Sequence, residues 1–188
     1  MLPSDWQVEL VRIGDVTTAS LRALREQLIH VLAHPVWISE QTLDPALSFD
    51  EDRRQYDAPM LLEALLDSQS VPGTKRLGVA EVDLFQPVFT HIFGCAQLGG
   101  TVAVTSTHRL RPEFSGDPAD PEKVPARLLR EALHELGHTL GLRHCRVALC
   151  VMNSSRLPEH IDIKDAAFCD TCSAHICVPP TAFRPRQR

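Results

Sequence analysis

HELGHTLGLRHC, residues 134–145, overlaps the end of a longer segment, PARLLREALHELGHTL (125–140), in which apolar residues recur with helical spacing. The apolar face of that segment predicts a helix and consists of Leu129, Ala132, Leu133, Leu136 and Leu140. His134 and His138 are about one helical turn apart, so both imidazoles point the same way. Gly141 readily adopts the positive φ angle that commonly ends a helix.

A third histidine follows the predicted end of this helix. The chain turns back after Gly141 and brings His144 towards the first two histidines, which leaves one position on a zinc ion for water. Three protein ligands are typical of catalytic zinc, because structural sites are closed by four. Glu135 is the predicted catalytic base, since it can reach the zinc-bound water without joining the ligands.

The complete spacing H-E-x-x-H-x-x-G-x-x-H is a specific signal for a catalytic zinc site. The alternative is that the three histidines are unrelated core or surface residues. Gly137 favours the zinc site, because a glycine inside a helix costs about 1 kcal/mol relative to alanine. Close approach of another group to the helix backbone would explain why a glycine is present at this position.

Cysteines are concentrated directly beyond the histidine motif. The chain has six, and five of them lie in the last quarter of the sequence. Two pairs have the spacing of a tetrahedral zinc site with four thiolate ligands, namely Cys145, Cys150, Cys169 and Cys172. Disulfides are the alternative, which the lack of a secretory signal disfavours. Cys177 could substitute as a ligand, but its spacing from Cys172 is wider, so we expect it to be a spare thiol. We expect Cys95 to be a buried residue of an apolar strand.

Strand and helix patterns alternate along the rest of the chain. Strands are predicted at 6–13, 36–39, 77–85, 91–97 and 101–106, and helices at 19–32 and from Pro59 to Leu66. The last two strands flank Gly99 and Gly100, which favours a tight turn between paired strands. This order indicates an α/β fold with one mixed sheet, parallel except at an edge. We expect residues 43–55 to form a surface loop.

Composition limits the classes of function and partner. A net charge of -5 over 188 residues argues against a nucleic-acid-binding protein, which needs a concentrated basic surface. Neither a signal peptide nor an apolar stretch of about 20 residues is present, so we expect a cytoplasmic monomer that does not bind membranes. One domain is expected over residues 1–178, divided into 1–141 with the sheet and zinc helix and 142–178 with the four cysteines. A flexible tail is expected at 179–188.

The motifs HELGHTLGLRHC, Cys150-Val151-Met152 and Cys169-x-x-Cys172 resemble the archaemetzincins, a family of the metzincin metallopeptidases. The segment FGCAQLGGTVAVTSTHRL (93–110) resembles the same family more loosely. The resemblance implies a metzincin-like α/β domain with two zinc ions, one catalytic on the histidines and one structural on the cysteines. It further implies that Met152 belongs to a turn beneath the catalytic zinc. The strand at 93–98 would be the edge along which an extended peptide pairs.

The predicted function is therefore that of a zinc-dependent peptidase acting on peptides or proteins. Two alternatives are a zinc-stabilised module that binds peptides or proteins without cutting them, and a zinc amidase acting on a non-peptide substrate. Aminopeptidase and endopeptidase cleavage are both open. An aminopeptidase needs a carboxylate to hold the substrate amine, for which the candidates are Glu81, Asp83 and Glu113.

Three further roles remain open on the sequence. Substrate specificity is expected in the loop 153–158 beyond Met152. The chain has a single tyrosine, Tyr56, far upstream, so the zinc is expected to stabilise most of the oxyanion charge, with Asn153 or a strand amide as assistant. His108 follows a strand that faces the presumed cleft, although histidines in such positions are more often packing residues.

Overall fold

Two β-sheets and five α-helices make up a computed structural model that describes residues 6–67 and 71–178. The strands are β1 (Gln7–Ile13), β2 (Val36–Leu43), β3 (Phe49–Asp50), β4 (Gln55–Asp57), β5 (Thr74–Ala80), β6 (Leu84–Phe85), β7 (Gly94–Ala96) and β8 (Val102–Ser106). The α-helices are α1 (Thr18–Leu32), α2 (Ala58–Asp67), α3 (Lys123–Thr139), α4 (Pro158–Ile163) and α5 (Asp170–Ile176). Three short 3-10 helices cover Pro45–Ser48, His108–Leu110 and Pro112–Ser115.

The main sheet has the strand order β2-β1-β5-β8-β7. Neighbouring strands are parallel from β2 to β8, and only β7 runs antiparallel to its neighbour, at the edge. Every residue of β8 is buried, as expected of a parallel strand that is covered on both faces. The predicted α/β fold with a mostly parallel sheet and an antiparallel edge is confirmed.

The prediction of one sheet was wrong, and the segment 43–55, although mostly exposed as expected, is not an irregular loop. That segment contains the 3-10 helix Pro45–Ser48, whose first turn is capped by Asp44, as well as β3 and the start of β4. Strands β3, β4 and β6 form a second small sheet, so the strand predicted at 77–85 is two strands in different sheets. Strands of two or three residues are too short to show the alternation that identifies a strand in a sequence.

Helix α3 connects the sheet to the C-terminal segment. It packs against β5, β7 and β8 on one side and against α1 and α4 elsewhere. The largest core cluster includes sheet residues such as Leu77, helix residues such as Leu133, and Met152 and Phe168 from the C-terminal segment. Because these parts share one core, the segments that carry the histidine and cysteine motifs are packed against the main sheet.

The sequence also led to expectations about a C-terminal tail, membrane binding and the number of domains. The tail expected at 179–188 lies outside the described residues. Among the helices of residues 6–67 and 71–178, none is long and apolar enough to cross a membrane. The single domain expected over 1–178 stays a prediction.

Candidate metal centres

The three predicted histidines lie together at the end of α3. His134 and His138 belong to its last turns, and His144 follows the turn made by Gly141, which has a φ of 91°. The ligand atoms of the three side chains lie within 4.8 Å of one another. Glycine is suited to this turn, because L side chains are strained at such a positive φ.

Backbone carbonyls fix the orientation of two of these rings. His134 donates from Nδ1 to the Val151 carbonyl over 2.9 Å, and His138 donates from Nδ1 to the Leu142 carbonyl over 2.7 Å. A carbonyl oxygen can only accept, so each neutral ring carries its hydrogen on Nδ1 and leaves a lone pair on Nε2. Both rings therefore present Nε2 as a metal ligand.

The two Nε2 atoms lie 3.1 Å apart, which is close for two lone pairs. A proton between them would make one ring cationic, but burial lowers the pKa of His134 well below its usual value, and the nearby Lys164 lowers it further. Burial also lowers the pKa of His138 and of His144. A metal ion satisfies both lone pairs, and tetrahedral zinc with bonds of about 2.0–2.1 Å needs a similar nitrogen spacing, about 3.3 Å. The donor set fits zinc.

Glu135 is buried beside these rings and its Oε2 has no hydrogen-bond partner among the described residues. Burial raises the pKa of this carboxyl well above its usual value, and the charge of Glu131 raises it further. Gly94 of β7 makes room for it, because a Cβ at that position would lie 2.9 Å from Oε1 of Glu135. An unpartnered carboxyl with a high proton affinity thus lies between the histidines and the edge strand.

Met152 packs directly beneath the histidine helix and is fully buried. A Cβ at Gly137 would collide with the Met152 sulfur and would lie 3.1 Å from the Phe168 ring. The close approach that the mid-helix glycine predicted is therefore made by Met152 and Phe168.

A buried ion pair supports the same region, and no sequence motif indicated it. Lys164 lies 3.4 Å from the Glu131 carboxylate of α3 and donates to the carbonyls of Val151 and Asn153 over 3.3 and 3.1 Å. The Val151 carbonyl is also the one that orients His134. Lys164 therefore connects α3 to the turn around Met152, residues 151–153, called the methionine turn below.

The four predicted cysteines form a second cluster, and their Sγ atoms all lie within 4.8 Å of one another. Cys145 and Cys169 are 3.8 Å apart and Cys150 and Cys172 are 3.9 Å apart, far beyond the roughly 2.05 Å of a disulfide bond. Tetrahedral zinc with Zn–S bonds of about 2.3 Å requires a sulfur spacing of about 3.8 Å. All six cysteines are free, so the disulfide alternative does not apply here.

The two clusters share backbone. Cys145 follows His144 directly, its N–H donates to the Met152 carbonyl over 2.9 Å, and its own carbonyl accepts from the Asn153 amide over 2.9 Å. The segment that presents the third histidine is thus fixed by the same turn that lies beneath the first two.

A cleft of about 920 Å³ opens onto the histidine cluster. Its walls come from α3, from the segment 86–98 that includes β7, from the loop 143–144, and from residues 154–156 beyond the methionine turn. The volume is within the range of about 300–1,000 Å³ that is usual for ligand-binding clefts. His91, which no sequence motif singled out, lies in the cleft wall.

Comparison of the sequence with known proteins identifies relatives that cover most of this chain. The sequence model of Peptidase family M54 matches residues 38–177. The archaemetzincin of Haloarcula marismortui is 33% identical over 172 residues, which cover 90% of this chain and 98% of that relative. This chain belongs to the archaemetzincin family. It is a zinc metallopeptidase by family, as its motifs predicted.

Other archaemetzincins agree with this assignment. The archaemetzincin of Pyrococcus furiosus is 42% identical over 126 residues, which cover 66% of each chain. Among solved structures, a zinc-dependent peptidase from Methanocorpusculum labreanum superimposes with a TM-score of 0.81 at 30% identity, covering 90% of this chain and 99% of that one. The Archaeoglobus fulgidus archaemetzincin, complexed with malonate, gives a TM-score of 0.77 with the same identity and coverage. The α/β fold of this archaemetzincin is therefore that of solved members of its family.

The remaining candidates lie away from the cleft wall of this archaemetzincin. Asp83 is held by Arg109 at 2.5 Å, Glu81 pairs with Arg111 at 3.2 Å, and Glu113 lies in the 3-10 helix Pro112–Ser115. Tyr56 packs against Phe49 in the small sheet, the Asn153 amide is engaged with Cys145, and the His108 ring packs on Phe114. None of these six residues is among those that line the cleft described above.

Proposed function

We propose that this archaemetzincin hydrolyses peptide bonds at the histidine cluster, with Glu135 as the catalytic base. His134, His138 and His144 would be the ligands of the catalytic zinc. The observation that carries this proposal is the pair of Nε2 lone pairs, 3.1 Å apart, beside the unpartnered carboxyl of Glu135. Such a donor set and such a carboxyl have a clear use only around a metal ion that binds water.

When bound, zinc lowers the pKa of a coordinated water and polarises the carbonyl of the scissile bond. Glu135 accepts the proton of the attacking water and delivers it to the leaving amine. Its buried position suits this task, because a raised pKa brings its proton affinity closer to that of the groups with which it exchanges protons. Val151 and Leu142 keep the rings of His134 and His138 in the ligating tautomer through their carbonyls.

The edge strand β7 supports binding of an extended peptide. It is the last strand of the main sheet, and its neighbour β8 occupies only one side. All three residues of β7 line the cleft, and Gly94 leaves space that Glu135 fills, so a peptide added at the free edge would bring its backbone close to the base. A pairing of this kind fixes the direction of the substrate with main-chain hydrogen bonds.

The cysteine cluster would hold a second, structural zinc, which gives two zinc ions per chain. Four thiolates complete a tetrahedral shell and leave no position for water. Three of the four cysteines are buried, which is consistent with a site that orders the chain. Met152 and Gly141 would then be supporting residues, one packed beneath the catalytic site and the other turning the chain towards His144.

Replacement of Glu135 by glutamine tests the catalytic base. The variant is expected to keep its fold and two zinc ions and to lose at least about a hundredfold in kcat, since general base catalysis contributes roughly 10²–10⁴. Hydrolysis of a mixed peptide library and zinc content are measured together. Glu63→Gln, on the exposed side of α2, is the matched control and should match wild type.

Undiminished cleavage by Glu135→Gln would refute the assignment of the base. A wild-type protein that holds two zinc ions and binds peptides without cleaving them would favour the binding module instead.

A further inference from the structure

Two arginines line the catalytic cleft without an ion-pair partner. Arg143 directly precedes His144, and Arg156 lies in the loop beyond the methionine turn. Both side chains belong to exposed residues, and neither forms an ion pair with another residue of the described parts of the chain. The rim of the cleft therefore carries two guanidinium groups that are open to a ligand.

The carboxylates of the cleft wall do not neutralise them. Within residues 6–67 and 71–178, the acidic residues that line the cleft are Glu131 and Glu135. Glu131 is buried and paired with Lys164, and Glu135 is buried at the catalytic position. Although the whole chain has a net charge of -5, the accessible charge at this cleft is positive. Such local fields attract ligands of the opposite charge more strongly inside a cleft than on an open surface.

A substrate amino terminus finds no corresponding anchor among the residues that the structure describes. The three carboxylates considered for that role are absent from the cleft wall, and two of them are already paired with arginines. The loop Ser154-Ser155-Arg156 adds hydroxyl groups and a guanidinium, both of which can donate hydrogen bonds to an anion. The chemistry of the rim thus matches a carboxylate better than an ammonium group.

We propose that the cleft prefers peptides that carry a carboxylate close to the scissile bond, bound by Arg143 and Arg156. This inference rests on the proposed peptidase function and specifies its substrate class. A planar guanidinium binds a carboxylate through two parallel hydrogen bonds, which selects for position as well as charge. The carboxylate has two sources, an aspartate or glutamate side chain and the free carboxyl end of a short peptide.

A peptide series separates these sources. Quenched fluorescent peptides with both ends blocked carry aspartate, asparagine or lysine at each position around the cleavage site. A second set has neutral side chains and a free carboxyl end. Wild type is expected to cleave the acidic peptides with a kcat/KM at least about tenfold above that of the asparagine peptides, the effect of one charge-assisted hydrogen bond. Faster cleavage of the second set alone would identify the free carboxyl end as the preferred group.

Substitution of the two arginines tests whether they cause the preference for acidic peptides. In Arg143→Gln with Arg156→Gln, the ratio of acidic to neutral cleavage is expected to fall towards one, and the ratio cancels any general loss of activity. Arg146→Gln, an exposed arginine of the same loop outside the cleft wall, is the matched control and should keep the wild-type ratio.

Equal cleavage of acidic and neutral peptides by wild type would overturn this inference and leave the peptidase function intact. A wild-type ratio retained by the double variant would likewise overturn the assignment to these arginines. If wild type cleaved none of the peptides, the proposed function itself would fail, and the inference with it.

Discussion

The histidine cluster is open to a cleft and the cysteine cluster is closed, although His144 of the first and Cys145 of the second are neighbours in the sequence. The histidine cluster offers three ligands, faces a cleft of about 920 Å³ and lies beside an unpartnered carboxyl. The cysteine cluster offers four ligands, three of them buried, and its sulfur spacing leaves no further position. This difference is the one that separates catalytic from structural zinc sites. Closure of the site, more than the identity of the metal, indicates what each cluster does.

The largest effect is expected when one ligand is removed from the closed cysteine cluster. Cys169→Ser is expected to release the zinc proposed for the cysteine cluster and to lower the free energy of unfolding by several kcal/mol, because structural zinc contributes on the order of 10 kcal/mol to folding of small domains. It should also lower the occupancy of the catalytic zinc, because Cys145 and His144 share backbone that is tied to Met152. Zinc content and denaturant unfolding measure both effects.

Cys177→Ser provides the control, since Cys177 is exposed and outside the cluster. Normal zinc at the histidine cluster in Cys169→Ser would refute the coupling between the two sites.

A smaller effect is expected from the ion pair beneath the open cluster. Lys164→Met leaves Glu131 buried without its partner, which typically costs about 3–5 kcal/mol of stability. Adding Glu131→Gln should recover part of this loss, because the unpaired charge is then removed. Thermal or denaturant unfolding of the single and double variants measures the difference. A single variant as stable as wild type would show that Lys164 does not hold the methionine turn.

Local sequence predicted the open cluster, because its geometry depends on a few neighbouring residues. A spacing of four residues on a helix and a glycine at its end determine where His134, His138 and His144 meet. The cysteine cluster followed from spacing as well. The role of Met152 came only from the family resemblance, because periodicity alone makes it a core residue.

Tertiary contacts account for what the sequence did not reveal. Glu131 and Lys164 are separated by 33 residues and carry no motif, so only folding brings them together. The small sheet was missed because its strands have two or three residues each. The sequence also did not show that the two arginines at the cleft rim lack ion-pair partners. This became clear only from the structure, in which Asp83 and Glu81 pair with other arginines.

Stepwise removal of zinc tests the central claim most directly. A chelator is titrated against the protein while native mass spectrometry counts the zinc ions and peptide cleavage is followed in parallel. The histidine site is expected to release its zinc first, because it is open and has three protein ligands. Cleavage should therefore disappear with the first zinc while the fold persists, and return when zinc is restored. Cleavage that survives loss of the first zinc, or a fold that is lost together with it, would contradict the assignment of an open catalytic site and a closed structural one.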